Sequence, residues 1–177
     1  VIWDRLRRIV TDDANGRSSV LIDSGPAKVL AMDEAGLAEI WEAGLERGAL
    51  SRDDRLARED VRLEPARGAV KARWFTLAPE SDELATADKE ASAAFAFAAC
   101  GAAHARVDTR RHPMMHKTQT LDVIVLVRGE VDLLLDDGEA RSLKPGDVVI
   151  QRATNHAWIN RGQETVLLVA VLIDVER

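Results

Sequence analysis

A second cysteine, a run of basic residues, a long apolar run and a Ser/Gly/Pro-rich linker are all missing from these 177 residues. Each absence closes off a class of protein. With Cys100 as the sole cysteine, no internal disulfide and no thiolate zinc site can form, so nothing points to an oxidising compartment and a cytoplasmic protein is expected. The 24 Lys and Arg residues are outnumbered by 30 Asp and Glu, the formal net charge is -6, and no basic cluster is long enough for a nucleic-acid footprint. Nucleic acid and anionic membrane are therefore not expected partners. No apolar stretch approaches the ~18 to 20 residues needed to span a bilayer, and no stretch here has the charged start and apolar core of a signal peptide. Without a linker-like stretch, a single domain is expected.

What is present changes character along the chain. Trp3, Leu6 and Ile9 have helix-like spacing and predict a short amphipathic segment that breaks at Asp12 to Gly16, a turn signal. Ser18 to Asp23 and Ala27 to Met32 read as two strands around Gly25-Pro26, as in a hairpin or a crossing between sheets. Leu37 to Leu45 fits both a helical face (Leu37, Ile40, Trp41, Leu45) and strand alternation, and its periodicity favours helix. Glu46 to Glu64, dense in Arg, Asp and Glu, predicts a surface loop with a solvated charge run. Val70 to Leu77 has strand composition and is closed by Pro79. A helix is expected next, capped by Ser81, running from Glu83 to Ala99, burying Ala91, Ala94, Phe95 and Ala98, and ended by Gly101. Phe95 and Phe97 are expected in the core.

From Thr120 the strands crowd together: Leu121 to Leu126, Glu130 to Leu135, the Asp137-Gly138 turn, Glu139 to Leu143, the Lys144 to Asp147 turn, Val148 to Arg152, His156 to Asn160 and Val166 to Asp174. Short strands with regular turns and no intervening helices predict an antiparallel sandwich or barrel, so the fold class is mainly β. The last strand is apolar on both faces and belongs in the middle of a packed structure or at a subunit interface.

The chemistry concentrates just before these strands. In an extended chain His116, Thr118, Thr120 and Asp122 share a face. This stretch and the one from Gly146 to Asn160 resemble the two motifs of the cupin superfamily. The first motif reads His-x-His-x3,4-Glu-x6-Gly, and His116, Thr118, Asp122 and Gly129 fall at those spacings. The second reads Gly-x5-Pro-x-Gly-x2-His-x3-Asn. Gly146 opens it, His156 and Asn160 close it, and Gln151 and Ala153 stand where Pro and Gly would be, one residue early relative to Gly146. The resemblance implies a double-sheet jelly-roll β-barrel, with residues 112–174 as its motif core, 81–101 as an Ala-rich helix before it and 1–80 as extra N-terminal strands and a surface loop. It also implies a divalent metal on three His and one Glu. Here Thr118 replaces the second His with a poor ligand, and Asp122 replaces the Glu with a shorter carboxylate.

His116, Asp122 and His156 make a two-imidazole, one-carboxylate set that suits Fe, Mn, Zn or Ni and leaves positions open for a substrate. Asp122 lies roughly 20 Å along an extended strand from His116 unless the chain bends between them. With no metal, the histidines would instead bond Thr118, Thr120 or Asn160. Asp122 and His156 are the candidate catalytic groups. Thr118, Thr120, Trp158, Asn160 and Met115 are the candidate ligand contacts, with Trp158 serving equally well as barrel core. His112 and Arg152 are expected on the surface, and His104 has no partner at informative spacing. Two functions are expected: a metal-dependent small-molecule enzyme of dioxygenase, decarboxylase, isomerase or cyclase type, or a metal-free module that binds a small organic molecule. A homodimer is expected, with early strands crossing to the partner's sheet.

Overall fold

The structure, a computed structural model, describes residues 2–46, 50–81 and 84–175. A single turn of 3-10 helix at Ile2–Arg5 leads into β1 (Arg8–Ala14), which pairs with β2 (Arg17–Ser24) as a separate two-stranded sheet. The helix-like spacing of Trp3, Leu6 and Ile9 thus resolves into one short turn and a strand, because only Trp3 finds an apolar site to fill. The turn signal is Asn15-Gly16, with φ of 57° and 75°, the doubly left-handed conformation that suits a tight hairpin.

After Gly25-Pro26 the chain crosses to a six-stranded sheet instead of closing a second hairpin. In chain order the remaining strands are β3 (Val29–Met32), β4 (Ala35–Gly44), β5 (Ala69–Leu77), β6 (Thr120–Arg128), β7 (Val131–Leu135), β8 (Arg141–Leu143), β9 (Val148–Arg152), β10 (His156–Ile159) and β11 (Val166–Asp174). The large sheet runs β3-β4-β5-β11-β6-β9, and a three-stranded sheet runs β10-β7-β8. All pairings are antiparallel. The helical reading of Leu37 to Leu45 is overturned: the segment is β4, paired on one side with β3 and on the other with β5. Tertiary pairing outweighs a weak local period when both neighbours offer a ladder.

The doubly apolar β11 sits between β5 and β6, where both its faces are covered. The main core lies between the two larger sheets: Ile124 and Leu126 from β6, Val131 and Leu133 from β7, Trp158 from β10, and Val166, Leu168, Ala170 and Leu172 from β11. Each fully buried leucine among them contributes about 1.5 to 3 kcal/mol. Gly129 turns the chain between β6 and β7 at φ 86°, and a Cβ there would meet Val166 Cγ2 at 2.9 Å, so both backbone and space select glycine.

The one α-helix among the described residues, α1 (Thr86–Ala99), lies between β5 and β6 in the chain. Its buried positions are Ala93 and Phe97, while Phe95 is 70% exposed and Ala91 and Ala98 are exposed as well. The expected face was wrong because alanine is everywhere in this helix, so the choice of side falls to Phe97 alone. The residue preceding the helix is Ala85 rather than Ser81, the start proposed at Glu83 lies outside the described residues, and Gly101 follows the helix at φ 69°. The charged stretch carries a 3-10 turn at Arg55–Ala57 and is less solvated than expected: Leu56 and Val61 are buried, and Asp54 pairs with the buried Arg8.

Candidate functional site

β5, β6, β10, β11 and α1 enclose a cavity of ≈ 150 Å³. Most of its wall is apolar, including Leu37, Phe75, Phe97, Trp158 and Leu172, and the polar groups that reach it include Arg73, Thr118, Asp122, His116 and His156. A wider groove of ≈ 890 Å³ adjoins it and shares Met32, Ala35, Leu77, Ala96, Met114 and Trp158, so it forms the approach.

His116 and His156 are brought together as the sequence suggests. Their backbones form a reciprocal antiparallel bridge, with both N–H to carbonyl distances at 2.9 Å, and their ring centroids are 4.3 Å apart. Phe97 packs on His116 at 4.8 Å and Trp158 meets His156 edge-on at 5.7 Å. His116 Nδ1 lies 3.0 Å from the Met114 carbonyl and His156 Nδ1 lies 2.9 Å from the Thr154 carbonyl. A carbonyl only accepts, so each Nδ1 carries the proton and each neutral ring keeps its lone pair on Nε2. Burial holds both rings neutral, lowering the His116 pKa and pulling that of His156 to about 3, where the neighbouring His116 adds to the effect.

Asp122 lies on β6, 4% exposed, with Oδ1 unpartnered. Burial raises its pKa to about 6, against a hydrogen bond from Thr120 and the attraction of Arg73. Thr118 Oγ1 lies 2.7 Å from Thr120 Oγ1. With Thr120 donating to Asp122, Thr118 donates to Thr120, and the two threonines orient the carboxyl group. The metal set proposed from the sequence is not assembled: among the described residues no three His, Cys, Asp or Glu side chains are grouped closely enough to hold a metal ion. His116 is tied to β10 through the bridge, whereas Asp122 is fixed farther along the regular part of β6, paired with Gln151 and Leu172. The donors fit two positions of a metal site and leave it one short.

Other assignments shift. Trp158 lines the cavity and belongs to the core at once. Met115 does not face the ligand space: it is 1% exposed among Leu134, Ala157 and Ile159, and its neighbour Met114 lines the cavity instead. Thr120 acts through Asp122 and is absent from the cavity wall. Asn160 is committed to structure: Nδ2 donates to the carbonyls of Leu77 at 2.9 Å and Glu164 at 2.8 Å, and Oδ1 accepts from Gly162 N at 2.9 Å. These bonds fasten the loop between β10 and β11. His112 pairs with Glu80 at 3.0 Å on the groove, His104 meets Glu64 at 2.8 Å in an exposed position, and Arg152 is exposed.

Arg73 was missed. It is 1% exposed on β5, with Nη2 donating to Glu39 Oε1 at 2.7 Å and to the Arg62 carbonyl, while Nε and Nη1 have no partner. The available signal was the alternation of Lys71 and Arg73 within an otherwise apolar strand, two cations on one face.

Fold and cavity define a double-sheet jelly roll with a small, largely apolar interior site. Ala153, at the position of the motif glycine counted from His156, adopts φ 49°, a left-handed conformation that costs a non-glycine residue roughly 1 to 2 kcal/mol. Over about a quarter of its length the chain is similar to cupin-domain-containing proteins. No family model matches it. It is 56% identical over 48 residues to phomopsin biosynthesis cluster protein C' of Diaporthe leptostromiformis, a match covering 27% of this chain and 25% of that protein. It is 46% identical over 46 residues to the cupin-domain-containing oxidoreductase srdD of Neurospora crassa, covering 26% and 24% of the two chains. The match therefore spans about a quarter of the length of these curated relatives. A cupin 2 conserved barrel domain protein from Salinispora arenicola has a similar structure at TM-score 0.42 and 13% identity, over 84% of this chain and 83% of the other. No helix among the described residues is long and apolar enough to cross a membrane.

Proposed function

We propose that this chain is a cupin enzyme that takes a small, mostly apolar organic molecule into the barrel and moves a proton on it. The observation that carries this reading is the convergence of Asp122 and the two neutral imidazoles on one apolar cavity, the usual composition of a small-molecule site. Asp122 is the acid–base group: a carboxyl pKa of about 6 lets it take a proton from one ligand atom and return it to another near neutral pH. The Nε2 lone pairs of His116 and His156 accept hydrogen bonds from the ligand and orient it, and Trp158 and Phe97 close the space against water. No step is routed through a metal, because the grouped donors fall short of a three-ligand site.

The oxidoreductase names of curated relatives favour a second reading, in which a two-electron acceptor from solution, such as dioxygen, takes a hydrogen pair's electrons from the ligand while Asp122 takes the proton released. Ring-sized carbonyl compounds incubated with the protein in heavy water and followed by NMR and mass spectrometry separate the two. A product of unchanged mass apart from deuterium supports proton transfer alone, and a product altered by two hydrogens or by oxygen supports the redox reading. In either case Asp122→Asn should slow turnover about 100-fold or more. Equal rates in wild type and variant would sink the assignment. Elemental analysis of untagged protein addresses the metal directly. A full equivalent of Fe, Mn, Zn or Ni, lost in His156→Ala with the fold intact, would establish a metal-dependent enzyme and displace the metal-free form of the proposal.

The single domain, the cytoplasmic location and the homodimer stand as parts of the same proposal. The β1–β2 hairpin forms a sheet of its own and exposes Ile9 (54%) and Val20 (59%), which suits strands that cover a partner subunit. Light scattering at twice the chain mass supports the dimer, and a monomer at micromolar concentration contradicts it.

A further inference from the structure

The proposed proton transfer leaves one polar group of the cavity without a task. Arg73 lines the cavity and is 1% exposed, yet only its Nη2 has acceptors, Glu39 Oε1 and the Arg62 carbonyl. Its Nε–H and both Nη1–H groups have none. A buried donor without an acceptor is costly, more so when it carries charge, and native proteins almost always supply the missing partner. On the same wall Asp122 Oδ1 is also unpartnered. The remaining lining near Arg73 is apolar, with Leu37, Phe75 and Phe97 offering no side-chain oxygen.

We propose that Arg73 is the binding residue for an acceptor oxygen, carbonyl or carboxylate, on a ring-sized ligand held in the cavity. This rests on the reading of the cavity as the small-molecule site. Its ≈ 150 Å³ matches in scale a dry cavity that admits benzene, so one ring with a short substituent fills it. An oxygen held by Arg73 lies on the same cavity as Asp122. Negative charge developing on that oxygen as Asp122 withdraws a neighbouring proton would be stabilised by a guanidinium already in place.

The test uses three probes of similar size on the whole chain: acetophenone, benzoate and ethylbenzene, with dissociation constants read by NMR titration or calorimetry. At least one oxygen-bearing probe is expected to bind about tenfold tighter or more than ethylbenzene, although ethylbenzene is the most apolar. Whichever of acetophenone and benzoate leads identifies the oxygen as carbonyl or carboxylate. The paired substitution Glu39→Leu with Arg73→Met removes both charges together and should abolish the preference while leaving ethylbenzene binding unchanged. If that variant does not fold, the wild-type series decides alone. Ethylbenzene binding as tightly as the other two would overturn the role of Arg73 and leave the cavity reading standing, with water as the acceptor. A preference that survives in the folded variant would also overturn it. Failure of all three probes to bind would overturn both proposals.

Discussion

Lys71 and Arg73 sit two residues apart on β5, on the same face, 2% and 1% exposed, and differ in one respect. Lys71 is closed: its Nζ meets Glu42 Oε2 at 3.1 Å and the carbonyls of Arg62 at 3.1 Å and Glu64 at 2.9 Å, one acceptor for each proton. Burial brings its pKa down to about 8, so it remains charged at pH 7. Arg73 is open, with Nε and Nη1 facing no acceptor. The charged segment after β4 supplies backbone carbonyls to both residues, so the difference does not lie in what that segment offers. It lies in the cavity, which adjoins Arg73 and not Lys71. A buried charge with every donor satisfied belongs to the scaffold, and one left half-satisfied on a cavity wall marks where a ligand belongs.

The largest effect that would break this comparison is at the closed end. Lys71→Met leaves Glu42 with Arg55 and the Ala66 N–H, takes the lysine donor from the Glu64 carbonyl and one of two side-chain donors from the Arg62 carbonyl, and should cost about 3 to 5 kcal/mol of stability in urea unfolding. A loss below about 1 kcal/mol would remove the distinction between the two cations. Next in size is Asp122 on the open side. Its folded pKa is raised from 3.8 to about 6, so its contribution to stability is fully present below 3.8 and is lost as pH rises through about 6. About two pK units correspond to about 3 kcal/mol at pH 8. Asp122→Asn should therefore stabilise the protein at pH 8 by up to that amount, with roughly half the gain at pH 5, while slowing turnover. His156 runs the other way: its pKa falls from 6.5 to about 3, and stability drops as pH falls through that window. Since His156 is common to both proteins, the difference between them isolates Asp122. A gain that does not change with pH would show that the carboxyl group is not held against its charge.

Most of the fold, and the approach of His116 to His156, can be read from the sequence, and particular residues show why. Gly138, at φ 78°, and Asn15-Gly16, at 57° and 75°, turn through conformations that few other residues adopt, so these turns are legible locally. The identity of β4 is not, since its alternation becomes decisive only when β3 and β5 flank it. His116 and His156 were found through motif spacing, which encodes the bridge between them. Asn160 has the same kind of spacing and turns out to fasten a loop, because spacing records position and not the direction of hydrogen bonds. Met115 was one residue off, because the turn before His116 has no fixed period: Met114 reaches the cavity wall, while Met115 is buried among Leu134, Ala157 and Ile159. Arg73 belongs to no motif, and only the three-dimensional count of its donors sets it apart from Lys71.

The smallest expected effect is the sharpest. Glu39→Leu with Arg73→Met replaces a buried ion pair by apolar side chains, a change that is often neutral or stabilising when both partners go together. Glu39 Oε2 is itself unpartnered, so the pair begins with less to lose. The Arg62 carbonyl keeps Lys71 Nζ at 3.1 Å and is not orphaned. Stability should stay within about 1 kcal/mol of wild type in urea, against several for Lys71→Met. Arg73→Met alone should cost about 3 to 5 kcal/mol, because Glu39 then stays buried opposite no guanidinium. A paired variant that loses as much as Lys71→Met would place both cations in the scaffold, for the geometry that leaves Arg73 free to meet a ligand also lets the fold do without it.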